Sequence, residues 1–401
     1  MSWSERSVRD HRLRTDYAIH HAYAALALDQ PALEKFDEML HCARKRAVRL
    51  FEAPVCHGRH PGVDALVNLS RFRSAHIRPA MDWAGTSSSW RPAVSSLAHH
   101  LICEYSVPVF LASSWHAADS SADGKRGWFV AHSQGSSFRS LNLPIRMTRK
   151  MEHIFLASQH HLPIEHALRK AELLALGVSP EFVGAVLASR LGMDLRHGEF
   201  WRTVWMFLIA NASEIEATQI GPMIDYLHAI RHVRIKTETP DGVMELDPAH
   251  PEFSMKGRTV QSMLRLMQAW HRSLGVGGAS FSWARSPFQP LVVTEPIPDR
   301  PDIPRRWHMM ELTNSALLRN EGAALHHCVA SYADRCRRGV SSIWSLRLWQ
   351  GEKVRHVLTV EVDPEKRAVV QARGKANHDA SGKSLQLLQS WAARERLRMA
   401  I

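Results

Sequence analysis

Six prolines fall within one short stretch of the chain, at positions 287, 290, 296, 298, 301 and 304. Proline fixes φ and lacks a backbone N–H, so a stretch of this kind interrupts helices and the inner strands of sheets. The stretch therefore predicts a linker over residues 286–304. It separates an N-terminal region, residues 1–285, from a C-terminal domain, residues 305–401.

The region before the predicted linker has mainly helical periodicity. Apolar residues recur at spacings of three and four over residues 5–53 and again over 258–274, as on the buried face of a helix. Residues 106–145 interrupt this pattern with short apolar runs and a polar loop. We therefore expect a mainly α-helical region of one or two subdomains, with any break near residues 106–145.

The last hundred residues show a different pattern. A short helix is predicted after Thr313 or Asn314, and a second over residues 323–338, with Gly339 as its C-cap. Three β-like runs follow, at 342–349, 354–362 and 368–373, joined by turn-like connectors. A helix over 384–399 ends the chain. The order α-α-β-β-β-α predicts a small α+β domain built on an antiparallel meander.

Charge restricts the classes of partner. The chain of 401 residues holds 51 Lys and Arg against 39 Asp and Glu, a net charge of +12. Residues 301–401 hold 17 against 10, so they carry +7 of that total. Such a balance favours phosphate-rich partners. An odd count of five cysteines is typical of reduced thiols, and no apolar run approaches the ~20 residues that span a bilayer. We expect a cytoplasmic protein with no membrane partner.

Motif positions in order along the C-terminal domain provide a family resemblance. They are Glu321-Gly322, His327-Cys328-Val329, Ser331-Tyr332, Ile343, Ser345-Leu346-Arg347, Thr359-Val360-Glu361 and the run 371–377. Together they resemble the PcfJ-like family over residues 311–397. Upstream stretches, including 147–150 and 257–259, are similar to the helical region that accompanies this domain. Because the family occurs in plasmids and phages, the resemblance implies an accessory protein of a mobile element or of phage conflict.

Basic and polar side chains of the C-terminal domain predict nucleic-acid binding. The candidate contacts are Tyr332, Arg347, Arg373, Lys375 and Asn377. The cations would contact phosphates, while Trp344 and Trp349 would offer stacking surfaces. The expected partner is DNA or RNA, with no cofactor.

Glu361 and Gln371 lie on the second and third predicted strands and suggest an enzymatic alternative. Side chains two apart share a sheet face, so Thr359 accompanies Glu361, and Arg373 accompanies Gln371. The arrangement resembles the core of restriction-type nucleases, but the third strand, with Gln371-Ala372-Arg373, lacks that core's carboxylate and lysine. A nuclease or another nucleotide-processing enzyme would require Mg²⁺, for which one acid is a poor site.

His327 and Cys328 are further catalytic candidates. Cys328 would act as a nucleophile or a ligand, since the thiolate is the reactive form. Adjacent helical side chains point about 100° apart, so the pair does not form a self-contained dyad. The alternative for Cys328 is a place in an apolar helix stripe. A last alternative for the chain is a protein–protein scaffold, with the helical region binding the partner.

Overall fold

The chain forms two compact units, residues 1–175 and 176–401. The structure is a computed structural model, and it describes residues 3–53, 59–86, 88–117, 122–159, 162–239, 242–275, 282–297, 300–325, 329–375 and 378–400. The mainly helical N-terminal region and the small α+β C-terminal part expected from the sequence are both present.

The first unit is built from helices. They are α1 (Trp3–Leu26), α2 (Gln30–Arg46), α3 (Pro61–Arg71), α4 (Trp90–Ile102), α5 (Asp123–Ser133), α6 (Arg149–Leu156) and α7 (Ile164–Leu176), whose last residue reaches the second unit. Local sequence begins them: the Asp29 side chain accepts from Ala32 N and so caps α2. Phe36, Met39 and Leu40 on α2 are buried at helical spacing.

The segment 106–145 contributes to the core of the first unit. Trp115 and Phe129 pack edge to face, with ring centroids 5.7 Å apart. Phe138 and Phe155 pack in the same way at 5.0 Å. These contacts pack aromatic rings of residues 106–145 against each other and against Phe155 of α6. The boundary between the two units follows Ala175.

The second unit begins with further helices and a short hairpin. These elements are α8 (Pro180–Ala188), α9 (Gly198–Ala210), α10 (Ala217–His232), β1 (Ile235–Thr239), β2 (Gly242–Leu246) and α11 (Val260–Gly275). Strands β1 and β2 pair antiparallel with each other. Among the helices in the described part of the chain, none has the length and apolar character needed to cross a bilayer.

The rest of the second unit is a sheet with three helices. In the described part of the chain this sheet has six strands. Its elements in chain order are β3 (Leu291–Ile297), β4 (Arg300–Glu311), α12 (Ser315–Leu325), α13 (Ala333–Arg337), β5 (Ser342–Gln350), β6 (Lys353–Asp363), β7 (Ala368–Arg373), α14 (Gly382–Arg394) and β8 (Arg398–Met399). Neighbours in the sheet follow chain order from β3 to β8, antiparallel except for the β7–β8 pair. The predicted order α-α-β-β-β-α is confirmed for α12 to α14, with two strands before it.

The proline-rich residues 286–304 differ from the predicted linker, because they contribute β3 and the first part of β4. Pro296 lies on edge strand β3 at a register shift between Glu295 and Ile297. The same irregularity contains Pro301 and Pro304, and the regular β3–β4 and β4–β5 pairs begin at Arg305. Edge strands and bulges accommodate proline because no ladder N–H is needed there. The sheet therefore starts before the predicted domain boundary.

The two faces of the sheet have different chemistry. One face packs against α14 through an apolar cluster that includes Trp344, Val360, Val362 and Trp391. The alternate positions form the other face, which we call the polar face and which lies under α12 and α13. It carries Ser345, Arg347, Thr359, Glu361 and Gln371, around a small apolar cluster of Leu312, Leu318, Val329, Cys336 and Ile343.

The single helix predicted over residues 323–338 is instead divided. Helix α12 ends at Leu325, a 3₁₀ turn covers Val329–Tyr332, and α13 covers Ala333–Arg337. Gly339 has φ of 71° and follows α13, as expected for a left-handed C-cap. Helix α12 and the 3₁₀ turn both contact the polar face, through Glu321 and Tyr332.

Candidate functional site

The polar face is organised around a fully buried carboxylate, that of Glu321 on α12. The Asn314 side chain accepts from Leu317 N at 2.8 Å and caps the helix two turns before Glu321. The carboxylate accepts hydrogen bonds from Ser345 Oγ at 2.8 Å, Thr359 Oγ1 at 2.9 Å, Arg347 Nη2 at 3.3 Å and His356 Nδ1 at 2.6 Å. Burial of a charge is tolerated here because every donor is a close and complementary partner.

The partners of Glu321 keep it ionised. Burial alone raises the pKa of this carboxyl, but the hydrogen bond and charge of His356, with Ser345 and Arg347, outweigh it. The pKa of Glu321 therefore lies below its usual value. A stable anion inside the domain holds the imidazole of His356 and the guanidinium of Arg347 in fixed orientations.

Glu361 forms a second buried carboxylate on the same face. It accepts from Ser341 Oγ at 2.7 Å and pairs with Arg335 Nη2 at 2.8 Å. In the β6–β7 register Glu361 lies directly opposite Gln371. The Tyr332 hydroxyl donates to Gln371 Oε1 at 3.4 Å. The structure thus brings together Glu361, Gln371 and Tyr332, three of the residues selected from the sequence.

A cavity of about 60 Å³ lies beside Glu361 and Gln371, large enough for a few water molecules. Its other wall comes from the helical part of the second unit, with Arg190 following α8 and Asp225 on α10. Arg190 Nε lies 3.3 Å from Asp225 Oδ1, and Arg190 Nη1 lies 2.9 Å from His228 Nδ1. Burial, together with the Arg190 charge, lowers the pKa of His228 to about 3. The imidazole is therefore neutral, and its Nδ1 accepts the hydrogen bond from Arg190 Nη1. Charged side chains of both signs therefore line the cavity. Arg190 and Asp225 come from the helical part, and Glu361 and Arg373 come from the sheet.

Arg373, a predicted phosphate contact, lies on the wall of this cavity. It forms an ion pair with Asp379, while its Nε is buried without a hydrogen-bond partner in the described structure. Burial lowers the pKa of this guanidinium. Lys375 is exposed.

The remaining predicted residues differ in accessibility. His327, Cys328 and Asn377 lie outside the described residues. Arg347 is only 12% exposed and its Nε and Nη2 are bonded to Ser345 and Glu321, so its guanidinium is fixed by the polar face and does not extend into solvent. Trp344 is 1% exposed and packs on Trp391, so it offers no stacking surface.

No metal centre is evident in the described part of the chain. Among these residues no group of three or more His, Cys, Asp or Glu has an arrangement that could hold a metal ion. The one acid predicted to bind Mg²⁺, Glu361, is already paired with Arg335.

The polar face has an accessible end, where β4, β5 and β6 extend past α12. The strand register forms four successive rows there: Arg305–Gln350–Lys353, Arg306–Trp349–Val354, Trp307–Leu348–Arg355 and His308–Arg347–His356. Side chains of the second and fourth rows share the polar face, and the rings of His308 and Trp349 are 5.7 Å apart. Side chains of the first and third rows point to the opposite face of the sheet. We call these four rows the open end. Arg305, Arg306 and Lys353 are exposed there, and none of them forms an ion pair within the described structure.

Sequence reasoning missed three participants. Glu321 enters the sequence analysis only as a motif position, and its neighbours Leu318, Gly322 and Leu325 are the local signal that its side chain faces the interior. His356 interrupts the alternation of β6 and carried no assignment. Arg190 had no local signal, because the α8–α10 packing alone brings it to the cavity.

The family model described as PcfJ-like protein matches residues 309–388. The matched stretch begins within β4 and ends within α14, so it contains Glu321, Arg347, His356, Glu361 and Gln371. Neither the curated proteins nor the solved structures include a significant match.

Proposed function

Residues 309–388 form a PcfJ-like region, and we propose that this region, with the rest of β4, binds single-stranded nucleic acid at the open end of the sheet. One observation carries the proposal. The register places Arg306 directly opposite Trp349 on the polar face. The adjacent row holds the exposed Arg305 and Lys353, which point to the other face at the same end of the sheet. Exposed cations around an aromatic ring at the end of a sheet are the combination that binds a phosphate backbone and stacks a base.

Charge distribution supports the same surface. Residues 301–401 carry +7 of the net +12, and Arg355 adds a further exposed cation one row from Trp349. Trp349 is half-buried, so its ring is fixed while part of it is exposed. Val354 beside it in the register is exposed too, which provides apolar surface under a base. As part of this proposal the protein is a cytoplasmic accessory factor of a mobile element or of phage conflict.

Fluorescence anisotropy of the full chain with a labelled single strand of about 12 nucleotides tests the proposal. We expect affinity to fall steeply between about 50 mM and about 200 mM salt, because phosphate contacts release counterions. The triple variant Arg305→Gln, Arg306→Gln, Lys353→Gln should reduce the slope of log K against log salt by about 2. Arg398→Gln, an exposed cation on the opposite edge strand, is the matched control.

Two results would reject this function. The first is an absence of salt-sensitive binding. That result would favour the alternative of a protein–protein scaffold whose helical region binds the partner. The second is equal loss of affinity in the triple variant and in Arg398→Gln, which indicates attraction by net charge without a binding surface. The Mg²⁺-dependent alternative at Glu361 and Gln371 predicts instead strand cleavage that requires a divalent ion.

A further inference from the structure

Two histidines flank an arginine in the fourth row of the open end, His308–Arg347–His356. We propose that this row is a metal-independent RNA-cleaving site in which His356 is the general base, Arg347 binds the reacting phosphate and His308 is the general acid. The inference rests on the proposed nucleic-acid binding and adds a reaction and a substrate class, RNA, to it.

His356 has the geometry of an oriented base. Its Nδ1 lies 2.6 Å from Oε2 of the fully buried Glu321, so the ionised carboxylate holds the ring proton at Nδ1. The lone pair is thereby placed on Nε2. Within the described structure Nε2 makes no hydrogen bond, and the side chain is 20% exposed. A carboxylate behind an imidazole fixes tautomer and orientation and stabilises the imidazolium that forms when it accepts a proton.

Arg347 lies between the two histidines. Its Nε donates to Ser345 Oγ at 3.0 Å and its Nη2 to Glu321 Oε2 at 3.3 Å, which fixes the guanidinium plane. Nη1 makes no hydrogen bond to a described residue. A cation that is positioned before the substrate arrives stabilises the charge that develops on a phosphate oxygen.

His308 completes the row from β4. Neighbouring strands are about 4.8 Å apart, so His308 and His356 are separated by roughly 10 Å across Arg347. This gap accommodates a phosphodiester between a base on one side and an acid on the other. The ring of His308 contacts Trp349, on which the adjacent base would stack.

The reaction balances without a metal, an oxidant or a second substrate. The 2′-oxygen of a ribose attacks the adjacent phosphorus, while His356 Nε2 takes the proton of the 2′-hydroxyl. The new P–O2′ bond forms as the P–O5′ bond breaks, and the imidazolium form of His308 gives its proton to the departing O5′. Burial and the charge of Arg306 lower the pKa of His308, so its imidazolium is a stronger acid than a free one. The products are a 2′,3′-cyclic phosphate and a 5′-hydroxyl end. DNA lacks the 2′-hydroxyl, so it binds but is not cut.

Incubation of the full chain with end-labelled single-stranded RNA in excess EDTA tests the inference, with the matching DNA run in parallel. We expect RNA fragments that end in a 2′,3′-cyclic phosphate, and intact DNA. His356→Asn should lower the cleavage rate by about 100-fold or more, while RNA affinity stays within about twofold. The asparagine amide retains a donor for Glu321, which protects the fold. His378→Asn, an exposed histidine after β7, is the matched control.

The outcomes separate the inference from the proposed function. RNA and DNA that both bind and both remain intact overturn the RNA-cleaving site but leave the binding surface standing. Cleavage that persists in both His356→Asn and His308→Gln also overturns it, because the activity then belongs elsewhere. Should His356→Asn fail to fold by circular dichroism, the His308→Gln variant alone decides. Absence of binding rejects the proposed function itself.

Discussion

Glu321 Oε2 and His356 Nδ1 lie 2.6 Å apart, although 35 residues separate them in the chain. The contact joins α12 to β6 and belongs to a network in which Ser345, Thr359 and Arg347 donate to the same carboxylate. It fixes the helix over the polar face and, at the same time, orients the imidazole at the open end. Stability and the proposed chemistry therefore depend on one buried group.

Replacing that group should destabilise the second unit. Glu321→Ala leaves the Arg347 guanidinium and two hydroxyls without their acceptor, so we expect a loss of about 3–5 kcal/mol in the free energy of unfolding. Urea unfolding followed by circular dichroism measures it. Glu352→Ala, at the exposed β5–β6 turn, should change stability by less than about 0.5 kcal/mol. Equal effects of the two substitutions would contradict a structural role for the network.

Acid should weaken this network in a defined direction. Because the pKa of folded Glu321 lies below its usual value of 4.5, its contribution is complete above that pH in the wild-type protein. It is lost as pH falls through the lowered pKa of the folded state. Unfolding free energies of wild type and Glu321→Gln should therefore differ most near neutral pH and converge in acid. A pH-independent difference between them would show that ionisation of Glu321 is not involved.

Two tryptophans of β5 should separate folding from binding. Trp344 is fully buried against Trp391, with ring centroids 4.7 Å apart, so Trp344→Ala should cost about 3–5 kcal/mol of stability. Trp349→Ala should leave most of the stability but lower single-strand affinity by about 5- to 100-fold, through loss of one stacked base. Denaturant titration and anisotropy on both variants check this pair. Full affinity in Trp349→Ala would remove it from the binding surface.

Cys336 should be unreactive in the folded protein. Burial, assisted by the charge of Glu361, raises the pKa of the thiol to about 12, so almost no thiolate is present at neutral pH. Iodoacetamide labelling read by peptide mass spectrometry should modify Cys336 only after addition of denaturant. Rapid labelling of native Cys336 would be inconsistent with its place in the apolar cluster.

The strands of the C-terminal domain could be predicted from local sequence. The alternation of apolar and polar residues over 342–373 predicts the antiparallel meander, whose register sets Glu361 opposite Gln371. The prolines of 286–304 misled the prediction, since a bulge on an edge strand depends on pairing partners that local sequence does not reveal. Glu321 and His356 were not paired for a similar reason: their contact exists only after α12 docks on β6.

The carbonyl of Gln289, just before β3, accepts from Trp391 Nε1 and Arg394 Nη2 of α14, both at 2.8 Å. These partners lie 102 and 105 residues further along the chain. A ribosome adding roughly 5–20 residues per second needs on the order of 5–20 s to make that interval. During that time β3 has been made but the helix that covers it has not. The edge of the sheet is then open to other nascent chains, and chaperones would act on this protein at that stage.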